Sequence, residues 1–380
     1  MPTPLPPLSL YVHSPWCVQK CPYCDFNSHA LTTALPEAAY IAALLDDLHR
    51  DLTHFAIDRP LSSLFIGGGT PSLLSPPAID RLLTGIAQQI PLVANAEITL
   101  EANPGTVEAA KFAEFKALGI SRLSLGIQSF NDKHLQKLGR IHTARQAFLA
   151  VETAYQVGFG NVNLDLMFGL PQQTLAESQA DMKTALSLNP PHLSFYQLTL
   201  EPNTYFHRFP PKLPDDELIF TMQQTCQHWL AEQGFEQYEV SAYARGQTYC
   251  QHNLNYWQFG DYLGIGAGAH GKLSLARPEQ IIRTVKWRNP TQYLASTDKR
   301  TISPVPVSEL PIEFLMNHLR LRRGFSLPDY VATTGLSATT LEPALTTAVN
   351  EGLLTQTGLH YRCTETGWNF LDRLLEKFIP

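Results

Sequence analysis

Tyr11-Val12-His13-Ser14-Pro15-Trp16-Cys17-Val18-Gln19-Lys20-Cys21-Pro22-Tyr23-Cys24 places three thiols within eight residues, directly after a short apolar run, Ser9 to His13, that reads as a strand. Three thiolates in one tight loop hold three irons of a cubane and leave the fourth iron without a protein ligand. A structural zinc ion is the competing reading, with His13 or His29 completing a tetrahedral set. Zinc sites usually bring paired CxxC units, and no second pair is present. The remaining cysteines, Cys226, Cys250 and Cys363, are scattered, and a cluster of thiols in a chain without secretory features points to metal or redox chemistry before disulfides.

From this loop outward, short β-branched or apolar runs alternate with longer amphipathic stretches as far as Tyr243, the pattern of repeated βα units around a parallel sheet. Strands are expected at Ser9–His13, Ser63–Ile66, Glu97–Leu100, Arg122–Gly126, Asn163–Met167, Leu193–Leu198 and Gln237–Ser241. Helices are expected at Pro36–Phe55 and Pro76–Gln89, each opened by a proline that suits a first turn, and at Leu213–Gln233. Polar residues follow the strand ends: Gly67 to Thr70, Glu101, Gln128 and Asp165. In parallel barrels the C-terminal ends of the strands form the working face, so these separated positions are expected to meet.

The chain has 380 residues, more than one hydrophobic core usually serves, which favours a large domain with a smaller companion. Hydrophobic residues make up 44%, yet no uninterrupted apolar run approaches the ~20 residues of a spanning helix. Met1 to Pro7 lacks the basic start and apolar stretch of a secretory signal, so a cytoplasmic location is expected. A formal net charge of -6 argues against wholesale neutralisation of phosphates, and nucleic acid is not an expected partner.

After Tyr243 the alternation stops. Residues 244–305, rich in Gly, Asn and aromatics, read as a connecting or capping region, and Pro304 and Pro306 mark a boundary. Beyond it, Ser308–Arg322 and Thr339–Glu351 read as helices, Leu353–Thr355 and His360–Cys363 as a hairpin, and Thr366–Phe378 as a last helix. This is a winged-helix-like order, and such folds often bind DNA. Thr339–Asn350 carries no Lys or Arg, which favours a packing role. The expected architecture is α/β: an open, partial TIM-like parallel barrel over 1–243, the connecting region over 244–305, and a C-terminal helical domain over 306–380.

The CxxxCxxC spacing after the first strand resembles the radical S-adenosylmethionine superfamily. That resemblance implies a 4Fe-4S cluster on Cys17, Cys21 and Cys24, whose open iron is chelated by the amino and carboxylate groups of S-adenosylmethionine. It further implies ligand contacts from Tyr11, Tyr23, Gly68, Gly69, Thr70, Glu101, Gln128, Arg140 and Asp165. Physically, carboxylates suit ribose hydroxyls and an amine, Arg140 suits a carboxylate, and the glycines of Gly67-Gly68-Gly69-Thr70 let backbone approach closely with N–H groups facing an anion. Taken singly, each acidic residue serves equally well as a helix cap.

Asn131 to Arg140 and Gly169-Leu170-Pro171 are similar to oxygen-independent coproporphyrinogen III oxidases and their relatives. The oxidases carry a further cysteine where this chain has Phe26. His252-Asn253-Leu254-Asn255-Tyr256-Trp257 matches the HNxxYW pattern of the heme chaperone branch of that group, and the following run Gly260 to His270 is similar to that branch as well. This implies a chaperone without oxidase activity that binds heme and passes it to an acceptor protein, membrane-bound or not, with an electron donor serving the cluster. His252 is the candidate axial ligand, since neutral imidazole binds heme iron well, and Tyr256 and Trp257 offer flat apolar surface. In the competing reading these residues only pack and satisfy a turn. Cys250 either meets the iron or is buried. A radical porphyrinogen oxidase and a radical enzyme acting on RNA are the alternative functions.

Overall fold

The computed structural model describes residues 5–105, 109–276 and 279–379. Of the proline-rich start, Met1 to Pro4 lie outside the described residues.

Apolar strands alternating with helices build one twelve-stranded open sheet. Strand β1 (Leu8–Ser14) runs into the short β2 (Trp16–Cys17), which pairs with β3 (His29–Ala30) to close the cysteine loop. β4 (Leu61–Gly68), β5 (Leu92–Ala102), β6 (Arg122–Gln128), β7 (Asn161–Phe168) and β8 (His192–Gln197) follow in spatial order beside β1, all parallel. Helices Glu37–His54, Pro76–Gln89, Ala144–Gln156, Leu175–Ser187 and Asp216–Glu232 cover the outside. Thr143 and Thr174 open two of them with capping boxes, and Asp215 caps a third, so local sequence fixes where these crossovers begin.

The expected seventh parallel strand, Gln237–Ser241, does not form. β9 (Glu236–Gln237) is two residues long and lies outside β10 (Ala242–Ala244), which pairs antiparallel with β8. A chain that reverses within four residues can pair only antiparallel, because a parallel neighbour needs a crossover.

The seventh parallel strand comes instead from the segment read as connecting. β11 (Asp261–Ile265) lies along β1 in register Leu8–Val12, and β12 (His270–Ala276), β13 (Glu279–Lys286) and β14 (Arg300–Pro304) extend that edge antiparallel. No pairing joins β14 to β9, so the sheet stays open, as the sequence reading expects.

The C-terminal residues form helices Leu310–His318, Leu327–Thr334 and Ala344–Asn350 with a small sheet of β15 (Phe325–Ser326), β16 (Leu354–Thr357) and β17 (His360–Cys363). The middle helix is absent from the sequence reading, and the expected last helix is broken into Glu365–Asn369, Leu371–Leu375 and a final turn. Phe259 and Ile281, from the barrel edge, sit in the same apolar cluster as Phe314 and Tyr330, so this part packs on the extension.

A buried charge cluster fastens the extension to the barrel. Lys286 donates to Asp47 at 2.6 Å and Asp51 at 2.7 Å, Tyr293 donates to Asp47 at 2.7 Å, and Arg300 pairs with Asp51 at 3.1 Å. Lys286→Met leaves two buried carboxylates facing Arg300, Tyr293 and the Gly266 N–H. Breaking one partner of such a set costs about 3–5 kcal/mol, so the urea midpoint of this variant should fall accordingly.

Candidate functional site

The C-terminal ends of the parallel strands surround a chamber of about 410 Å³. Cys17, Cys21, Tyr23, Cys24, Gly68, Gly69, Thr70, Glu101, Gln128, Arg140 and Asp165 all line it. Eleven of the thirteen sequence-expected positions therefore meet, although they come from six separate stretches of chain. Tyr11 and His252 are not among its lining residues.

The cysteine loop rests on the turn that ends β4. Gly69 N–H donates to Ser14 O and Thr70 N–H to Trp16 O, both at 2.7 Å. A Cβ on Gly69 would stand 2.6 Å from the Trp16 carbonyl oxygen and 3.0 Å from Cys17 Sγ, so only glycine allows this contact. Gly68 N–H donates to Glu101 Oε2 at 3.0 Å. These three N–H groups are thus engaged by groups of the protein itself and are not free to donate to an anionic ligand, which corrects the donor role expected for the glycine turn. What the turn offers a ligand is close approach. No disulfide involves the three cysteines, and burial pushes the Cys17 and Cys24 thiols upward.

Arg140 closes the other side. It donates to Asn103 Oδ1 at 2.6 Å and Gly126 O at 2.8 Å, and its second terminal nitrogen lies 3.7 Å from Cys21 Sγ. It stands three residues beyond helix Asp132–Lys137, after Gly139, rather than ending that helix. Gln128 holds a left-handed backbone at φ 68°, an uncommon state for a side-chain-bearing residue. Neighbours over-determine it: Tyr196 donates to its Oε1 at 2.8 Å, and Asp181 takes Ser129 Oγ at 2.6 Å and Phe130 N at 2.7 Å.

Glu101 and Asp165 face the chamber from β5 and β7. Burial, then the nearby Asp165 charge, pushes Glu101 up to about 8, and burial also raises Asp165 despite hydrogen bonds from Asn163 at 2.8 Å and Ser124 at 3.3 Å. Among the lining residues described, Arg140 is the one cationic side chain, against Asp25, Glu101, Asp165 and Glu201. Tyr196, Asn103 and Ser194 also line the chamber and escape the sequence reading. Their available signal is weak: polar residues two apart on a strand, as in Asn163/Asp165 and Ser194/Tyr196, mark an inward face that is not purely packed.

His252 lies elsewhere, on helix Gln251–Trp257, which is seated against the opposite, N-terminal strand ends. The residue is 8% exposed, and its ring contacts Ser63 Oγ through Nδ1 at 3.3 Å and packs on Phe65 and Tyr11 with ring centroids 5.0 and 6.2 Å away. Burial first, then Arg122, lowers His252 to about 3, keeping it neutral. Glu97 binds the helix start through Gln251 N at 2.9 Å, and Asn255 reaches Ser9 Oγ and Asp261 O, both at 2.9 Å. Cys250 is buried, with Sγ 3.6 Å from Glu97.

Comparison with known proteins gives this geometry a family. Residues 11–185 match the Radical SAM superfamily and residues 306–370 the HemN C-terminal domain. Curated relatives named Heme chaperone HemW are 48% identical over 376 residues in Escherichia coli, covering 99% of both chains, and 50% identical over 378 residues in Haemophilus influenzae, covering 99% of this chain and 98% of that one. The solved structure of the coproporphyrinogen III oxidase HemN from Escherichia coli, described as a radical SAM enzyme, superposes with TM-score 0.82 at 22% identity over 99% of this chain and 90% of that chain, a likeness of fold.

Gly69→Ala should lift the cysteine loop from its ledge. Cys17, buried in the parent, should then react with iodoacetamide markedly faster while buried Cys226 does not; equal Cys17 rates would show that the glycine contact does not hold the loop. With chamber, cysteine loop and near-complete alignment to such relatives in agreement, the chain belongs to the HemW family within the radical SAM superfamily.

Proposed function

We propose that this protein is a heme chaperone: it binds heme, carries a 4Fe-4S cluster on Cys17, Cys21 and Cys24 with exchangeable S-adenosylmethionine in the chamber, and hands heme to an acceptor protein. The observation that carries the chamber reading is its charge layout beside three free thiols. A sulfonium ligand brings a cationic sulfur and the N–H groups of an amine to an acidic wall, and one carboxylate to the side where Arg140 stands. The tetracarboxylate substrate of a porphyrinogen oxidase asks for several cations, and the described lining supplies one, already bonded to Asn103 and Gly126. Phe26, 55% exposed at this chamber, stands where the oxidases have a cysteine.

The donor set fits a cubane better than zinc. Among the described residues no three His, Cys, Asp or Glu side chains are gathered closely enough to hold one metal ion. A cubane places each thiolate on a different iron, whereas tetrahedral zinc draws all ligands to one point. When bound, such a cluster supplies one-electron chemistry to S-adenosylmethionine, for which an electron donor is required. The chain's own residues shape that site: Glu101 and Asp165 accept hydrogen bonds from ligand donors, Gln128 and Tyr196 fix the wall between them, and Tyr23 packs behind the loop.

Heme ligation by His252 requires helix Gln251–Trp257 to withdraw from the barrel, because the ring is enclosed as it stands. No helix of the described residues is long and apolar enough to cross a membrane. We place the protein in the cytoplasm, from which a soluble or membrane-bound acceptor is within reach.

Two measurements test this reading. Anaerobically reconstituted protein should hold about four irons and about four acid-labile sulfides; one zinc and no sulfide would remove the cluster. The fold favours neutral Glu101, so this group's stabilising contribution is complete at low pH and is lost as pH rises toward 8. A cationic ligand favours ionised Glu101 and must displace its proton. Affinity for S-adenosylmethionine should therefore tighten with pH, by at most about tenfold per unit, and level off above about 8, while Glu101→Gln flattens the profile. A profile unchanged in that variant would take Glu101 out of the site.

A further inference from the structure

The turn that follows the chamber wall carries a feature the family reading does not use. Leu198, Thr199 and Glu201 line the chamber, and the chain then folds into the single helical turn Tyr205–Arg208, ending at Phe209. Tyr205 and Phe209 are 62% and 53% exposed, with ring centroids 4.9 Å apart at 45°. The Arg208 guanidinium lies 5.3 Å from the Phe209 centroid, and exposed Lys212 follows within three residues. Beneath them Phe206 is buried in an apolar cluster with Leu138, Met167, Leu170 and Leu198, which stiffens the turn.

His207 sits in the middle of this group with its side chain exposed. Its Nδ1 lies 3.2 Å from Leu200 O. A carbonyl only accepts, so Nδ1 carries the proton and the lone pair of the neutral ring is on Nε2. A backbone carbonyl behind one imidazole nitrogen is the arrangement that fixes the tautomer and orientation of histidines binding metal through the other. His228, another exposed histidine, spends its Nε2 on Glu232 at 3.1 Å. Among the described residues, exposed His49, His54 and His270 have no backbone carbonyl behind either ring nitrogen, and the buried histidines are enclosed.

We propose that heme docks on this turn, with His207 Nε2 on the iron, the macrocycle against Tyr205 and Phe209, and its propionates directed to Arg208 and Lys212. The inference rests on the heme chaperone reading and gives it a location. Flat apolar surface, two cations for two carboxylates and an imidazole held in the ligating tautomer lie within eight residues, a complementarity that a protein partner does not require. The placement also gives the chamber a route to the heme. Phe206 N–H donates to Pro22 O at 3.0 Å and its ring faces Tyr23, so the turn is bonded to the loop between Cys21 and Cys24. A ligand that orders this loop then orders the heme platform.

The test is a titration of full-length, cluster-reconstituted protein with reduced heme, followed at the Soret band for the parent, His207→Gly, Phe209→Ala and His252→Ala. His207→Gly should weaken heme binding by at least about tenfold and lose the imidazole-ligated spectrum, with iron and sulfide content unchanged and the spectrum restored by added imidazole. Phe209→Ala should weaken binding with the spectrum retained, and His252→Ala should behave as the parent. If the parent binds heme and His207→Gly matches it, or if only His252→Ala loses the imidazole spectrum, the docking site is wrong and the chaperone reading stands. A parent that takes up no heme removes the chaperone reading and this site with it.

Discussion

The site depends on one backbone contact: the Gly69-Thr70 turn at the end of β4 hydrogen-bonded to Ser14 at the end of β1 and to Trp16 at the start of β2. Because no side chain fits at Gly69, the loop bearing three cysteines can lie directly on the strand ends rather than a layer above them. The return half of the loop is held in the same way, with His29 N–H on Pro15 O at 2.7 Å and Leu31 N–H on Cys17 O at 2.9 Å. Backbone bonds of this kind place thiols without relying on their own side-chain preferences, which matters for a loop in which Cys21 and Cys24 are only partly enclosed.

What surrounds the loop explains the length of chain devoted to the extension of the sheet. Asn27 donates to Ala267 O and Arg288 O, both at 2.8 Å, while Tyr40 donates to His13 O at 2.7 Å and accepts from Ala267 N at 2.9 Å. Ala267 belongs to the turn after β11, which the Lys286, Asp47 and Asp51 cluster anchors to the first covering helix. The extension is therefore a clasp for the cysteine loop as well as an edge. A buried charge cluster of this kind adds little net stability over an apolar substitute, but it admits few alternative arrangements. Rigid placement of this edge suits a loop that must meet its cofactor at a fixed position.

Inside the barrel, polarity is graded. Glu101 and Asp165 face the chamber, where burial favours their neutral forms. Deeper, the fully buried Arg122 lies near His192 at 3.4 Å, and Asn163 Oδ1 is 2.6 Å from His192 Nδ1. Farthest from the chamber, Glu97, Ser63 and Asn255 hold helix Gln251–Trp257. An interior so wired is costly unless its groups are paired, so the helix with His252 is part of the barrel's structure whatever else it does. The Tyr205–Phe209 turn, in contrast, is anchored from below and open above.

Much of this was legible in residue order. Six of the seven expected barrel strands, the capped crossovers, the cysteine loop and most of the chamber wall follow from local pattern, because strand period, cap chemistry and ligand spacing are properties of neighbouring residues. The misreadings share one cause. That β11 rather than Gln237–Ser241 completes the parallel strands, pairing with β1 some 250 residues away, that the Gly68–Thr70 N–H groups are already engaged, and that His252 is enclosed while His207 is open are all decided by long-range pairing. The sequence by itself determined the number of thiols, their spacing and the βα repeat. Tertiary structure decided which end of the barrel each polar side chain faces and which are covered, since side-chain exposure is a property of the packed neighbours and not of the residue that carries it.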